Sequence, residues 1–555
     1  MITVGDHRTG NLFDPWAHLG LKRRALLEKS WAGVVRVHLL ANLPVNELAH
    51  CFHDSHGRPG KDLYVAMGAL VLQQMHDLTD AATVEAVAFN EAWHYALDAR
   101  GEDDMYLCER TLRNYRAMVV ANGIDQILFR GLTDRLITAF DVDATRQRLD
   151  STAICSNMRK LTRLGVICRT IEKFLRELRR QEAGLYGGID PALLGRHVGG
   201  EEGGCFGRAK PSEAKRRLPQ AAADLLALVV GFAGAPGADL PGYQLMQRVL
   251  GEQCQVIPAG GGEDEKLRVK EDAELSGDVL QNPSDPDNTY NKHKGQGYTV
   301  QVMETYQPDP PATVDQADQT ALAPPDPSQP LKPDLITHVA VGPMTGHDSQ
   351  AVVPALDDVA GRGILPEQLL ADTHFGFQEQ IDQAAARGVE LIAPAQPPAG
   401  SRQEPRRLSL EQFVLDADGH VTQCPAGHAP VSASVSKAGN YQACFDAATC
   451  AACPLRPQCP VQEPRSPRDR KTRLQYHKER LPMRERRLSE LEPPFQELYR
   501  WRAGMEGSMS RLKHQIGWVA LRIRGLAAIG YEAFMGALGL NILRCARCVA
   551  ANASA

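Results

Sequence analysis

The sequence has no long hydrophobic run and no recognisable export signal. No stretch approaches the roughly 18 consecutive apolar residues that a membrane-spanning helix needs, and the longest candidate, 225–235, has the length of a core helix. The first ten residues, MITVGDHRTG, contain neither the basic nor the apolar segment of a signal peptide. These absences predict a protein that is neither anchored in a membrane nor exported.

The chain also lacks an overall positive charge. It has 62 Lys and Arg residues against 67 Asp and Glu, a formal net charge of −5, so any nucleic-acid site must be a local basic patch. Thirteen cysteines, an odd number scattered over 555 residues, argue against an extracellular disulfide framework and favour a reducing cytoplasm. With 43% hydrophobic and 23% charged residues, a chain of this length should form about three to five globular units.

Residues 1–145 are predicted to form a helical N-terminal domain. Apolar residues recur at three- and four-residue spacing, most clearly in 63–72. Further along, Arg110, Arg113 and Arg116 stand three residues apart, on one side of a predicted helix. That side could contact DNA phosphates in a helix-turn-helix-like module, or it could be a solvated helix face.

Residues 146–397 show a strand and helix pattern typical of an α/β domain. Residues 146–155 read as a strand with Asp150 in the middle, and alternation is clear in 297–304. After a further strand and helix, another predicted strand ends in Asp372. Carboxyl ends of strands are where such sheets place their chemistry.

Two segments interrupt this pattern. Residues 156–280 return to helical periodicity over most of their length, which predicts a helical insertion. Residues 308–333 contain eight prolines and four aspartates, which predicts an extended loop.

The segment 499–524 is the most informative in the chain, because its six Lys and Arg residues surround a single acid, Glu506. At about 100° per residue, one helical stripe roughly 60° wide carries four polar side chains, those of Tyr499, Arg502, Glu506 and Lys513. A solvated face could have this composition by chance, but a Tyr and a lone Glu among cations are unusual there. An ionised carboxylate in such a field could hold a divalent cation while its neighbours hold phosphates.

These four residues match every position of a Tyr-x2-Arg-x3-Glu-x6-Lys signature, and the sequence here resembles the DDE transposases of bacterial insertion sequences. The segment 149–152 resembles the first catalytic-Asp strand of that family, and 371–376 resembles the second. Residues 285–298 resemble the start of the second strand, and 60–120 the helical N-terminal domain of such elements. The order of these segments, together with the helix signature, carries the resemblance.

The resemblance implies a ribonuclease-H-like catalytic core, a mixed five-stranded sheet flanked by helices, formed by 146–397 and 488–548. The all-α N-terminal domain would serve DNA binding or oligomerisation. In such a core, Asp150, Asp372 and Glu506 would converge as the catalytic residues and as the ligands of Mg²⁺ or Mn²⁺. Asp150 on its own could equally be a turn residue or a helix cap.

Three carboxylates suit the reaction that the resemblance implies. Two Mg²⁺ ions about 3.5–4 Å apart can activate a water or a DNA 3′-hydroxyl and stabilise the leaving oxygen of an in-line displacement at phosphorus. The implied function is a transposase that binds terminal inverted repeats, cuts DNA and transfers the cut strand to a target. Two alternatives remain open, a relative that binds DNA without cutting it and a metal-dependent nuclease without a joining step.

The resemblance also implies how the protein meets DNA. Arg502 and Lys513 would contact phosphates near the cut, and Tyr499 would position the DNA end, whereas the lysines near 292–294 could equally belong to a solvated hairpin. The candidate DNA contacts are Tyr499, Arg502, Lys513, Arg511, Lys292 and Lys294. The expected partners are double-stranded DNA, as inverted repeats and as target, and a second copy of the chain, because two ends must be brought together. The expected location is the bacterial cytoplasm, in association with the nucleoid.

Residues 398–487 are predicted to form a small zinc-ribbon-like insertion followed by a basic segment. A Cys-x2-Cys pair with a third cysteine six residues later and a fourth 26 residues earlier offers thiolates for a tetrahedral Zn²⁺. The four candidate ligands are Cys424, Cys450, Cys453 and Cys459. Cys444 and His428 are possible substitutes for one of them, and the alternative is a set of reduced thiols without a metal.

The most basic segment of the chain is the run at 465–487, which has ten Lys and Arg residues against three acids. Such a run could bind DNA in a steeply salt-dependent way. A solvated basic helix is the alternative, but the position next to the Glu506 segment favours phosphate contact.

Overall fold

The computed structural model describes residues 4–7, 14–52, 60–198, 209–257, 266–308, 330–398, 407–464, 466, 468–519 and 521–553. The predicted Pro-rich loop at 308–333 lies almost entirely outside these residues.

The N-terminal region is helical, as the apolar spacing predicts. Its helices are α1 (Leu21–Glu28), α2 (Trp31–Val34), α3 (Val45–Ala49), α4 (Leu63–Met75), α5 (Asp80–Phe89), α6 (Glu91–Leu97), α7 (Glu109–Ala121) and α8 (Ile124–Ala139). All thirteen residues of α4 are buried. The Asp62 side chain caps this helix by accepting from the backbone N–H groups of Tyr64 and Val65 at 2.7 and 3.3 Å.

The arginines of α7 do not form a free phosphate-binding face. Arg116 donates to Gln73 Oε1 at 2.7 Å and pairs with Asp80. Arg113 lies 4.0 Å from the same Asp80 carboxylate. Arg116 therefore fastens α7 to α4 and α5, whereas Arg110 and Arg113 are both exposed.

The predicted first strand and the helical insertion follow. These elements are β1 (Arg146–Cys155), α9 (Arg163–Gln181), α10 (Ala183–Gly187), α11 (Pro191–His197), α12 (Pro211–Gly231), α13 (Pro241–Gln253), β2 (Cys254–Ile257) and β3 (Lys266–Val269). The insertion has a hydrophobic core of its own, in which α9 contributes Phe174 and Leu178, α12 Leu225 and α13 Met246. It is thus a separate packing unit placed between two strands of the main sheet.

The main sheet is mixed and is covered by helices on both faces. Its later elements are β4 (Thr289–Asn291), β5 (Gly295–Thr305), β6 (Ile336–Pro343), α14 (Val352–Ala360), β7 (Gln368–Ala371), α15 (Gln378–Ala385) and β8 (Glu390–Ile392). The strand order is β4-β5-β1-β7-β8, with β6 also pairing with β5. This arrangement is consistent with a ribonuclease-H-like core, but the sheet has six strands where five were predicted. The additional strand, β4, has only three residues, too few to give an alternation signal.

The Cys-rich region forms small sheets and short helices. Its elements are β9 (Val414–Leu415), β10 (Val421–Gln423), β11 (Ser432–Val435), β12 (Asn440–Asp446), α16 (Ala447–Ala451), β13 (Lys471–His477) and α17 (Arg480–Ser489). The basic run is split between β13 and α17, so the alternative of a single solvated basic helix does not describe it; Arg465 lies outside the described residues. Arg486 donates to Ala393 O at 2.8 Å and Arg487 to Gln396 O at 2.9 Å. These two arginines attach the Cys-rich region to the end of β8.

The C-terminal elements are α18 (Pro493–Tyr499), α19 (Gly504–His514) and α20 (Leu526–Asn552). A 3₁₀ turn at Arg500–Ala503 separates α18 from α19, so the segment 499–514 is not the single helix that the sequence suggests. Helix α20 shares one hydrophobic core with the N-terminal helices and with strands β5 and β6. Its length and composition would suffice to cross a membrane, but 67% of its apolar window is buried inside the protein, as in the core helix of a soluble protein.

Gly539 allows the close contact between α20 and α4. A Cβ at this position would lie 2.7 Å from Met75 Cα, a backbone atom that cannot move aside alone. We therefore expect Gly539→Ala to lower the free energy of unfolding by about 1–3 kcal/mol through overpacking. The measurement is urea-induced unfolding followed by circular dichroism.

The matched control is Gly530→Ala in the same helix, where the nearest atom to the new Cβ would be a side-chain carbon 3.7 Å away. This variant should be as stable as the parent or slightly more stable, because Ala favours helix by up to about 1 kcal/mol over Gly. Equal effects of the two substitutions would contradict the close packing of α20 on α4.

Candidate active site

Asp150 and Asp372 are brought together by neighbouring parallel strands. Leu149 of β1 pairs with Ala371 of β7. Asp150 directly follows Leu149, and Asp372 directly follows Ala371. Asp150 lies within β1, while Asp372 comes directly after the last residue of β7. The sheet register therefore fixes the two carboxylates side by side, although 221 residues lie between them.

Arg502 lies between these two carboxylates. Its Nη2 donates to Asp150 Oδ2 at 2.8 Å and lies 4.0 Å from Asp372 Oδ2. Its Nε is buried and has no hydrogen-bond partner among the described residues. A cation thus sits between the carboxylates in this structure, and one of its buried donors has no partner among the described residues.

The electrostatic environment reflects this crowding of like charges. Burial raises the pKa of Asp150; the charges of Asp372 and Asp348 raise it further, and Arg502 opposes them. Burial likewise raises the pKa of Tyr499 to about 12, with Asp372 and Asp150 contributing, so this phenol stays protonated at neutral pH. Tyr499 stacks on Phe495, with ring centroids 5.4 Å apart.

Glu506 and Lys513 share an open cleft with Asp150. The cleft has a volume of about 360 Å³ and is also lined by Ser151 and His514. Glu506 and Lys513 are seven residues apart on α19, so both side chains lie on one face of this helix. The structure therefore brings the third predicted carboxylate and the predicted lysine to the site of the first.

A buried ionic network holds α19 against the sheet. Glu304 of β5 has no solvent exposure, and Arg148 and Arg544 donate to its two oxygens, each at 2.8 Å. Ser508, two residues after Glu506, donates to Glu304 Oε1 at 2.8 Å. Because Arg148 is two residues before Asp150 on the same face of β1, one buried carboxylate positions both segments.

Gly504, the first residue of α19, lies directly against Arg148. An added Cβ would lie 2.1 Å from Arg148 Nη1, and the same nitrogen donates to the Trp501 carbonyl at 2.7 Å. The absence of a side chain at 504 thus lets the start of the Glu506 helix approach β1.

The remaining predicted DNA contacts differ in their relation to the carboxylates. Lys294 pairs with Asp348 at 3.3 Å, which places it near Asp150, whereas Lys292 is exposed in the turn between β4 and β5. Arg511 does not line the cleft of Glu506 and lies near Arg544 and Arg547 on the other side of α19.

Two functional candidates were missing from the sequence interpretation. Asp348 affects the pKa of Asp150, and Glu304 anchors α19, yet neither belongs to a recognised motif. Glu304 leaves one signal in the sequence, an acid at the end of the otherwise apolar alternating strand β5. The sequence offers no comparable signal for Asp348, which lies in the turn after β6 and affects Asp150 only through the fold.

The carboxylate chemistry fits a divalent metal, although the site geometry is not that of an assembled metal centre. Among the described residues, no group of three or more His, Cys, Asp or Glu is arranged to hold a metal ion. Hard oxygen ligands are nevertheless what Mg²⁺ requires. The guanidinium of Arg502 between Asp150 and Asp372 indicates a position suited to positive charge.

The four predicted zinc ligands line one cavity. Its volume is about 200 Å³, and its lining includes Cys424, Cys450, Cys453 and Cys459 together with His428. Burial raises the pKa of Cys459, with Cys450 and Cys424 adding to the effect, so these thiols lie close to one another. Cys444 is buried in β12 and does not line the cavity.

Comparison with known protein families gives two matches. A family model described as "Transposase domain (DUF772)" matches residues 34–117, which contain the helices from α3 to α6 and most of α7. A model described as "Transposase DDE domain" matches residues 423–546, which include Glu506 and most of α20. Neither matched region contains Asp150 or Asp372. No curated protein matches the chain.

Replacement of Glu304 should destabilise the region that carries the site. Glu304→Gln removes the charge that compensates two buried guanidiniums, and loss of one partner of a buried ion pair costs about 3–5 kcal/mol. We expect a decrease of that size in the free energy of unfolding, measured by denaturant titration. The matched control is Glu274→Gln, which removes an exposed pair with Arg268 and should leave the titration unchanged. An unchanged midpoint for Glu304→Gln would contradict the anchoring role.

Proposed function

Because both matched regions are transposase domains, the chain is a DDE transposase of an insertion sequence, and we propose that it binds the terminal inverted repeats of its element, cuts DNA there and transfers the cut strand to target DNA. The observation that supports this most directly is the juxtaposition of Asp150 and Asp372 on parallel strands, bridged by Arg502. The cleft shared by Asp150 and Glu506 adds the third carboxylate.

We propose that Asp150, Asp372 and Glu506 hold Mg²⁺ or Mn²⁺ through their carboxylate oxygens. When bound, the metal would supply activation of the attacking hydroxyl and stabilisation of the leaving 3′-oxygen. Hydrolysis and strand transfer require the same site, because they differ only in whether the hydroxyl belongs to water or to a DNA 3′-end.

The chain's own cations would hold the substrate. The partly exposed guanidinium of Arg502 would donate to a phosphate oxygen at the cut, and Lys513, beside Glu506, would bind a neighbouring phosphate. Tyr499, protonated and stacked on Phe495, would donate its phenol O–H to the DNA backbone. In the absence of DNA, Arg502 keeps two like charges together that would otherwise repel each other.

The test is product analysis on labelled linear DNA that carries the sequences flanking this gene, with Mg²⁺ present. The parent protein should cut at the repeat boundary and give joined products. Asp372→Asn should lower the rate at which both products form by about a hundredfold or more. The reason is that lost metal stabilisation of several kcal/mol slows the reaction about tenfold for each 1.36 kcal/mol.

The matched control is Asp382→Asn, the same change at an exposed position of α15 that only accepts from Gln378. It should retain both products. Binding without any cut by the parent protein, in Mg²⁺ and in Mn²⁺, would contradict the catalytic proposal and favour a DNA-binding relative that does not cleave. Cutting without joined products would favour a nuclease.

For the Cys-rich region we propose a structural Zn²⁺ held by Cys424, Cys450, Cys453 and Cys459. The support is that all four cysteines line one cavity. The region around this cavity is small, and its hydrophobic core contains only seven buried residues among those that the structure describes. Four thiolates are a donor set that zinc prefers, and a closed site of this kind stabilises small domains.

The zinc proposal predicts about one zinc per chain in protein purified without chelator, measured by elemental analysis. Cys453→Ser should reduce this content several-fold and lower the unfolding temperature. Cys444→Ser, which changes a buried cysteine outside the cavity, should retain the metal. Parent protein without zinc after growth in zinc-supplemented medium would favour reduced thiols instead.

A further inference from the structure

A second concave surface lies in the helical insertion, away from the carboxylates. It is a cleft of about 1040 Å³ between α9 and the segment that precedes β4. Among the described residues, eight Lys and Arg line it, against two Glu residues, Glu172 and Glu177. This excess of positive charge is notable in a chain whose formal net charge is −5.

The cations are arranged as a stripe along α9. At about 100° per residue, Arg169, Lys173, Arg176 and Arg180 fall within about 60° of one another. The stripe extends over about 16 Å at 1.5 Å per residue. The opposite face of α9 is buried in the core of the insertion, so the orientation of the stripe is fixed by packing.

The acids of the cleft do not neutralise this stripe. Glu172 is shared by Arg169 at 2.5 Å and Arg176 at 2.6 Å, so two cations meet one carboxylate. Glu177 accepts from the backbone N–H of Gly242 at 2.7 Å. Lys173 donates to the carbonyl of Pro283 at 2.9 Å, a neutral partner.

The cleft is connected to the carboxylates through β1. From Asp150 to Cys155 the strand covers about 16 Å at roughly 3.3 Å per residue, and the chain continues to Arg159 and Lys160 at the edge of the cleft. Lys160 Nζ lies 4.6 Å from the ring centroid of Tyr290 in β4.

The turn after β4 extends this line of cations back to the active site. It carries Lys292 and Lys294, and Lys294 is paired with Asp348. Positive side chains therefore follow one path from the cleft to the neighbourhood of Asp150.

We propose that this cleft binds the phosphate backbone of the duplex inside the element end, at least about five base pairs from the cut. The distance follows from the 16 Å along β1 and the rise of about 3.4 Å per base pair. The inference rests on the proposed function, because it takes the DNA cut at Asp150 as the ligand. The helical insertion is then a clamp that holds the element end while the carboxylates act on its terminus.

The test compares two double variants that remove the same charge from the insertion. Arg176→Ala with Arg180→Ala removes two exposed cations of the stripe and leaves Arg169 to pair with Glu172. Arg179→Ala with Arg216→Ala is the matched control, since both residues are exposed but neither lines the cleft. Thermal unfolding checks that all proteins fold alike.

The measurement is binding of a labelled duplex with the sequences flanking this gene, without divalent metal. The salt concentration is varied from about 50 to about 200 mM, a range over which phosphate contacts weaken strongly. The stripe variant should bind more weakly, with a salt-dependence slope reduced by about 2, because each lost phosphate contact reduces it by about 0.9. Its hydroxyl-radical footprint should lose protection beyond about five base pairs from the cut and keep it at the cut. The control should match the parent.

Arg176→Lys with Arg180→Lys provides a second check, because it keeps the charge and should keep the slope. Equal slopes and footprints for the stripe variant and its control, with a parent protein that binds and cuts, would overturn the clamp and leave the proposed function intact. A parent protein that binds no duplex at all would overturn both. Loss of binding in the Lys variant as well would indicate a packing role for the arginines and overturn the electrostatic clamp.

Discussion

The buried carboxylate of Glu304 is the interaction on which the geometry of the site depends. A charge without solvent exposure is tolerated only if it is compensated, and here Arg148 and Arg544 supply the compensation while Ser508 adds a hydrogen bond. Arg148 comes from β1, Arg544 from α20 and Ser508 from α19. Because the network is costly to leave incomplete, it allows one arrangement of these elements, and that arrangement places Glu506 beside Asp150.

Compensation of charge also explains how several charged side chains can lie close together in the site. The parallel pairing of β1 and β7 forces Asp150 and Asp372 into proximity, and Arg502 offsets their repulsion. A site of this kind is poised for cations and for phosphate together, since its carboxylates attract the former and its guanidinium and the nearby Lys513 attract the latter. Binding of DNA and metal would then replace ion pairs that the chain now makes internally.

The Lys and Arg side chains of this chain fall into two groups: some join elements of the fold, and others face a cleft. Only the contacts that each side chain makes in the structure tell the two groups apart. Arg486 and Arg487 belong to the most basic run in the sequence, yet both donate to backbone carbonyls and attach the Cys-rich region to the core. Arg116 likewise joins three N-terminal helices. The stripe on α9, in contrast, faces a cleft and has fewer acids than cations around it. Local charge density alone does not separate the cations that join elements of the fold from those that face a cleft.

The sequence by itself determined the elements that carry the three carboxylates, and the resemblance predicted the catalytic role of these residues. Alternation and helical spacing depend on neighbouring residues only, so the bounds of β1, β5 and β7 were predictable to within a few residues. The tertiary structure alone decided the sixth strand, the break before α19, the bridge by Arg502 and the anchoring by Glu304. These features arise from contacts between segments that are distant in the chain, and no local pattern records which distant carboxylate an arginine will meet.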